Sequence, residues 1–165
     1  MRDRYEGERV YLRRMMPEDT ELAVKWRNAD CVRRQFIFKD MVTPEMHRKW
    51  YETRVLTGQV VQYVIGIKES GEEIGSQYYK DIDNEGHTAE YGIYIGEEAA
   101  LGKGYGSEVM QLALDYARSD MGMKEIYLRL VESNERAKRL YRKMGFEEYK
   151  REDGDISVIF MKRTL

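Results

Sequence analysis

The chain has 165 residues, with 28 Lys and Arg against 30 Asp and Glu, which gives a formal net charge of −2. This length predicts a single domain over residues 1–165 that can bury a core without disulfides or a metal. The near-neutral charge argues against a nucleic-acid partner, and no apolar run is long enough to span a membrane. One cysteine, two distant histidines and a charged start without a signal-peptide pattern predict no metal site and a cytoplasmic location.

The first half of the chain predicts a strand, two helices and a β-meander. Pro17 and Pro44 each stand where a helix can begin, because proline at the first helical position gives up a donor that would be unpaired anyway. Alternation of apolar residues predicts the strands, and Gly- and Asp-containing turns separate them. The predicted bounds in chain order are 9–13, 17–28, 44–56, 61–67, 74–79 and 89–95.

In the second half of the chain the spacing of apolar residues changes from every second residue to about every 3.6 residues and then back. A helix is predicted over 105–119, a strand over 125–131 and a last helix around 137–144, which Ser133 or Asn134 caps and Gly145 ends. Two strands follow over 146–151 and 156–162. This order indicates an α+β protein with a mixed, mostly antiparallel sheet and one strand–helix–strand crossover.

The strongest local motif is the alternating glycine segment Gly102-Lys103-Gly104-Tyr105-Gly106-Ser107, between a strand and a helix. Glycines at alternate positions let main-chain N–H groups converge on an anion, and the helix N-terminus adds further donors. The spacing fits neither a Walker loop nor a dinucleotide fingerprint. A plain tight turn remains the alternative to a pyrophosphate site.

This loop resembles the coenzyme A pyrophosphate loop of the GNAT superfamily of N-acetyltransferases. A second segment is also similar to that family: Asn134, then Ala137 three residues on, Tyr141 four further on, and a closing Gly145-Phe146. The resemblance covers roughly residues 8–162. It implies the GNAT fold, an α/β sandwich-like arrangement with a six- to seven-stranded sheet and about four helices. Leu101 departs from the pattern, since the family usually has Gln or Arg there.

By this resemblance the co-substrate is acetyl-CoA and no metal is required. The main chain of the strand before the loop would pair with the pantetheine arm, which carries amides that an unpaired strand edge can bind. The residues implied in cofactor binding are Ile93, Tyr94, Ile95, Leu101, Gly102, Lys103, Gly104, Tyr105, Gly106, Ser107, Asn134, Ala137 and Tyr141.

Acetyl transfer to an amine needs a proton acceptor and a proton donor. An alkyl ammonium, with a pKa of about 10.4, must lose a proton before it attacks, and the departing thiolate must be protonated or leave as an anion. Tyr141 matches the family's general acid, with core packing as its alternative role. Glu90, in an Ala-Glu-Tyr-Gly segment similar to RimJ/RimL-type enzymes, is the candidate base or amine-orienting carboxylate. A solvated strand carboxylate with a water chain as base is equally open.

The acceptor is expected to contact the first two helices. The Trp26-Arg27-Asn28 segment, followed by Arg33, is similar to acetyltransferases of nucleotide-linked 4-amino-4,6-dideoxy sugars; arginines suit a diphosphate and aromatic rings can stack. A cationic helix surface over a Trp anchor is the simpler interpretation. Protein N-terminal amines, polyamines and a non-catalytic acyl-CoA sensor remain alternatives, and a homodimer is possible.

Overall fold

A computed structural model describes residues 2–165, and they form one eight-stranded sheet with helices on both faces. The strands are β1 (Arg4–Glu6), β2 (Val10–Arg14), β3 (Val61–Ile67), β4 (Glu73–Asp83), β5 (Thr88–Ile95), β6 (Glu125–Val131), β7 (Glu147–Glu152) and β8 (Val158–Thr164). The helices are α1 (Thr20–Asn28), α2 (Asp30–Arg33), α3 (Pro44–Trp50), α4 (Tyr105–Ser119) and α5 (Glu135–Lys143). The strand order is β1-β2-β3-β4-β5-β6-β8-β7, and only β5 and β6 run parallel.

The predicted fold class is confirmed, but the sheet has eight strands rather than six to seven, and there are five helices rather than about four. The missed strand β1 has three residues, of which only Tyr5 is buried, so it shows no alternation to detect. The missed helix α2 is a single turn. Strand β4 also continues past the predicted end at Tyr79 to Asp83.

Three helix boundaries follow from the capping chemistry read in the sequence. Pro44 is the first residue of α3, and Thr43 Oγ1 accepts a hydrogen bond from Met46 N at 3.2 Å. Asn134, not Ser133, caps α5 through Oδ1, which accepts from Ala137 N at 3.1 Å. Gly145 takes a φ of 80° just after α5, a left-handed conformation that glycine adopts without strain.

The sheet separates two apolar layers. On one face, α4 and α5 pack over a core rich in buried tyrosines, and Tyr79 Oη donates to Ala113 O at 2.6 Å. On the other face, α1 to α3 surround Trp26, which is fully buried, and its Nε1 donates to Glu97 Oε1 at 2.8 Å. Because successive strand residues point to opposite faces, Tyr78 and Tyr94 belong to this second layer.

Strands β5 and β6 separate after a short parallel pairing. Their register covers only Thr88 to Glu90 against Glu125 to Tyr127. Beyond that point β5 pairs only with β4 as far as Ile95, and β6 pairs only with β8 as far as Val131. The β5 edge that faces β6 therefore keeps unpaired main-chain donors and acceptors over residues 91–95, in a wedge between the two strands.

Gly96, at the end of β5, packs directly on Trp26, and a Cβ there would stand 2.4 Å from the tryptophan side chain. We expect Gly96→Ala to lower the free energy of unfolding by about 1–3 kcal/mol, because the indole is fully buried and cannot yield. Gly154→Ala is the control: its nearest neighbour would be 3.9 Å away, so we expect no loss or a gain of up to about 1 kcal/mol. Urea unfolding of both variants checks this, and equal stabilities would contradict it.

Candidate active site

The glycine segment forms an open cradle at the N-terminus of α4. We call residues 101–107 the phosphate loop. Gly102 and Gly104 have φ values of 76° and 83°, so the chain alternates in handedness, as in main-chain anion nests. No other described residue lies within 4 Å of where a Gly102 Cβ would stand, and Gly104 begins α4 without a side-chain cap. The helix N-terminus and the alternating loop together form an arrangement of main-chain N–H groups of the kind that binds anions.

Helix α5 places Tyr141 beside the wedge. Its side chain is 6% exposed and packs on Phe146, with ring centroids 5.9 Å apart. Burial raises the pKa of Tyr141, so its Oη carries a proton at neutral pH. No hydrogen bond joins that Oη to any group within residues 2–165, which leaves the hydroxyl available to a ligand.

Tyr78 lies beside the wedge on the face of the sheet that packs against α1 to α3. Its ring crosses β5 at Gly92, where a Cβ would stand 2.3 Å from Tyr78 Cζ. Burial, and then the neighbouring Glu90 carboxylate, raise the pKa of Tyr78 to about 12. The Tyr78 phenol in turn contributes to the raised pKa of Tyr141. Tyr78 was not predicted from the sequence, although a glycine inside a strand is a known sign of close approach.

Glu90 is the last residue of β5 that pairs with β6, and it is only 7% exposed. Its Oε1 accepts from Arg129 Nε at 3.0 Å and lies 3.3 Å from Lys80 Nζ. Both cations therefore bind the same oxygen, and within residues 2–165 no hydrogen bond engages Oε2. Glu90 lies on the face of β5 opposite Ala89 and Tyr91, and Lys80 and Tyr78 share its side of the sheet.

Arg27 brings an uncompensated charge to the same side of the sheet. Its guanidinium stacks on Phe36, with 3.5 Å from Cζ to the ring centroid, and approaches Tyr94 at 6.0 Å. No carboxylate of the described chain pairs with it, and Nη1 is buried without a hydrogen-bond partner. Burial accordingly lowers the pKa of Arg27 below its usual value, with the Tyr94 and Tyr78 phenols acting in the opposite direction.

Comparison with known families assigns the chain to a family. The family described as acetyltransferase (GNAT) domain matches residues 9–147. The chain belongs to the GNAT acetyltransferase domain family. Its co-substrate, acetyl-CoA, is therefore the one predicted.

Individual relatives of known sequence agree with the GNAT assignment. An uncharacterized N-acetyltransferase, p20, of Bacillus licheniformis is 26% identical over 96% of this chain and 93% of its own length. Spermidine N(1)-acetyltransferase of Escherichia coli is 34% identical over 80 residues, 48% of this chain and 42% of that protein. An uncharacterized protein of Methanocaldococcus jannaschii is 27% identical over 149 residues, and the match spans 30% of its length.

Among solved structures, spermidine N-acetyltransferase from Vibrio cholerae, in complex with CoA and spermine, superposes with a TM-score of 0.86. The two share 20% sequence identity over 96% of each chain, a level that establishes the common GNAT fold.

The four residues predicted to bind the acceptor of this GNAT domain differ in burial and in hydrogen-bond partners. Trp26 is fully buried beneath Gly96, so it anchors α1 and presents no surface for stacking, as the simpler interpretation held. Asn28 uses both ends of its amide on Val42, donating to the carbonyl and accepting from the N–H, each at 2.8 Å. Arg33 lies at the surface, 3.3 Å from Asp30. Only Arg27 faces the wedge residues without an internal partner.

A membrane-spanning helix and a metal-binding cluster are both absent from residues 2–165. No helix there has both the length and the apolar character required to cross a bilayer. No cluster of three or more His, Cys, Asp or Glu side chains in that range is arranged to hold a metal ion.

Replacing Arg27 by methionine tests whether its charge is structurally compensated. We expect Arg27→Met to raise the free energy of unfolding by up to about 1 kcal/mol, because it removes a half-buried, unpaired charge and keeps an apolar contact with Phe36. The matched control is Arg13→Met. Arg13 pairs with Asp19 at 2.7 Å and Glu73 at 2.5 Å, so its loss should destabilise by roughly 2–4 kcal/mol. A similar loss for both variants in urea unfolding would show that Arg27 has a structural partner.

Proposed function

We propose that this protein transfers the acetyl group of acetyl-CoA to the primary amine of an acceptor that also carries an anionic group, with a nucleotide-linked amino sugar as the specific candidate. The observation that carries the acceptor class is the half-buried Arg27, whose Nη1 is buried without a hydrogen-bond partner and which no carboxylate of the described chain neutralises. An anionic group on the acceptor would supply that missing partner.

We propose that the phosphate loop holds the diphosphate of acetyl-CoA and that residues 93–95 pair with its pantetheine arm. The open cradle around Gly102 and the unpaired edge of β5 both support this. Asn134 Oδ1 is engaged in capping α5, so the remaining amide group would reach the arm, and Ala137 leaves room beside it. When bound, acetyl-CoA supplies the thioester that the acceptor amine attacks.

Tyr141 is the proposed proton donor to the departing sulfur. Its raised pKa keeps Oη protonated over the range in which an enzyme works, and no internal acceptor competes for that proton. The motif spacing from Asn134 places it on the turn of α5 that lies beside the wedge. The unpaired Oη can donate a hydrogen bond to the sulfur as negative charge develops there and can pass its proton as the thiolate leaves, although burial makes the phenol a weaker acid than a free tyrosine.

Glu90 is proposed to orient the amine rather than to deprotonate it. Arg129 and Lys80 both contact Oε1, so only Oε2 is left to meet the acceptor. The carboxylate can still attract an ammonium group through Oε2, and water then carries the proton away.

Room for a large acceptor lies next to Glu90. A surface cleft of about 520 Å³ is lined by Trp50, Arg54, Lys80 and Asn84, among others. Lys80 reaches from this cleft to the Glu90 carboxylate. A volume of this size accommodates a drug-sized ligand. The lining combines the Trp50 ring and the Arg54 guanidinium with the Asp81 carboxylate, and Lys80 is paired with both Asp81 and Glu90, so Arg54 is the cation most open to an anionic group.

A polyamine acceptor is the second candidate, because spermidine acetyltransferases are among the relatives in sequence and structure. Against it stands the charge of Arg27, which would repel a polycation. A protein N-terminal amine, as in RimJ/RimL-type enzymes, and a non-catalytic acyl-CoA sensor are the remaining alternatives. A homodimer also stays a prediction.

The acceptor class is tested with a panel of a nucleotide-linked 4-amino-4,6-dideoxy sugar, spermidine and a short peptide with a free N-terminus. Thiol release and product mass are measured for the wild type and for Arg27→Met. We expect the nucleotide sugar to be preferred, and Arg27→Met to raise its KM by about 10- to 100-fold without weakening turnover of spermidine. Preference of the wild type for spermidine would overturn the anionic acceptor. Binding of acetyl-CoA without thiol release to any amine would favour the sensor.

Removing the Tyr141 hydroxyl should affect turnover only. We expect Tyr141→Phe to keep the melting temperature and the Kd for CoA and to lower kcat by roughly 100-fold or more, since proton transfer to sulfur is lost. Tyr149→Phe, which removes a hydroxyl from an exposed ring on β7, is the control and should leave kcat unchanged. A Tyr141→Phe enzyme with the kcat of the wild type would exclude the acid role.

A further inference from the structure

The turn between β1 and β2 contacts the phosphate loop through one side chain, Arg9. Its Nη1 donates to the carbonyl oxygen of Lys103 at 3.0 Å, across 94 residues of sequence. Its Cζ lies 5.0 Å from the centroid of the Tyr105 ring, and its Nη2 would be 3.3 Å from a Cβ on Gly104. The guanidinium is thus packed against the middle of the loop.

Glu108, in the first turns of α4, holds Arg9 in this position. Its Oε2 accepts from Arg9 Nε at 3.1 Å, and its Oε1 accepts from the main-chain N–H groups of Arg9 and Val10 at 2.7 and 3.2 Å. Burial acts to raise the pKa of Glu108, but these donors outweigh it and hold the pKa below its usual range. Gly7 permits the contact, because a Cβ there would stand 2.5 Å from Glu108 Oε1.

The hydrogen bond to Lys103 has a consequence for the loop. The C=O and N–H of one planar trans peptide point in opposite directions. A donor that holds the Lys103 carbonyl on one side therefore turns the N–H of Gly104 toward the other side. Gly104 has a φ of 83°, a region in which glycine has wide conformational freedom, so this peptide needs an external restraint.

Leu101 makes that restraint more important. The loop opens with an apolar side chain where a polar or cationic one could have contacted a phosphate, so anion binding depends more on the main-chain donors, with Lys103 and Ser107 as the loop's polar side chains. Such donors bind well only when they are already oriented, because ordering a glycine-rich segment on binding costs conformational entropy.

We propose that Arg9, held by Glu108, is a positioning residue that pre-orients the Gly104 N–H and thereby sets the affinity for the diphosphate of the acyl donor. This inference rests on the proposed function, since it assumes that the phosphate loop binds acetyl-CoA. It predicts that Arg9 acts on the diphosphate alone and not on the thioester or the pantetheine arm.

The test compares acetyl-CoA with S-acetylpantetheine, which has the thioester and the arm but no diphosphate. We expect Arg9→Ala and Arg9→Lys each to lower kcat/KM for acetyl-CoA by about tenfold, through KM, and to leave kcat/KM for S-acetylpantetheine unchanged. Lysine keeps the charge but cannot bridge Glu108 and Lys103 O at once. Arg9→Lys also decides the matter if Arg9→Ala does not fold.

Lys68→Ala is the matched control, because Lys68 Nζ binds the same turn at Gly7 O, at 3.0 Å, without contacting the loop. It should leave both substrates unaffected. Equal losses on both substrates, or none, would overturn the role of Arg9. If Arg9→Lys were fully active while Arg9→Ala was defective, Arg9 would act by attracting the diphosphate through its charge and not by orienting the Gly104 N–H. A wild type that neither binds CoA nor uses acetyl-CoA would instead refute the proposed function itself.

Discussion

The separation of β5 from β6 is the constraint on which the rest of the site depends. Their parallel register stops at Glu90, because β6 continues along β8 while β5 stays with β4. A sheet that remained paired to its ends would have no free main-chain edge here. Since β5 leads into the phosphate loop, the same divergence places an unpaired strand edge and a helix N-terminus next to each other.

The wedge also explains why groups from opposite faces of the sheet can act together. Tyr141 belongs to the layer of α4 and α5, whereas Arg27 and Tyr94 belong to the layer of α1 to α3. A closed sheet would keep these layers apart. At the wedge, the Tyr78 ring lies over the backbone at Gly92. The Glu90 carboxylate contributes to the raised pKa of Tyr78, and the Tyr78 phenol contributes to the raised pKa of Tyr141.

The sequence predicted what depends on local periodicity and on glycine spacing. Helix α4 and strand β6 have the predicted bounds, and Asn134 caps α5 as one of the two candidates. It did not predict β1, a three-residue strand that pairs only with β2 and whose one buried side chain, Tyr5, packs on Tyr63 and Tyr116 from distant elements. Arg9 was overlooked because its contacts lie more than 90 residues away. Trp26 was predicted to contact the acceptor but is buried. The sequence of a short helix does not show whether an aromatic residue faces a ligand or the core.

Membership of the GNAT family does not identify the acceptor, so the acceptor class is inferred from the charges around the site. Spermidine carries several ammonium groups, and a site built for it gains from carboxylates that are free to pair. Here Glu90 is already bound by two cations, and the half-buried Arg27 guanidinium has no internal anion. A protein that keeps a partly desolvated charge without a partner loses stability by it, because desolvation is not offset by pairing. The Arg27 arrangement is therefore consistent with a partner that arrives from outside the chain and brings negative charge with its amine.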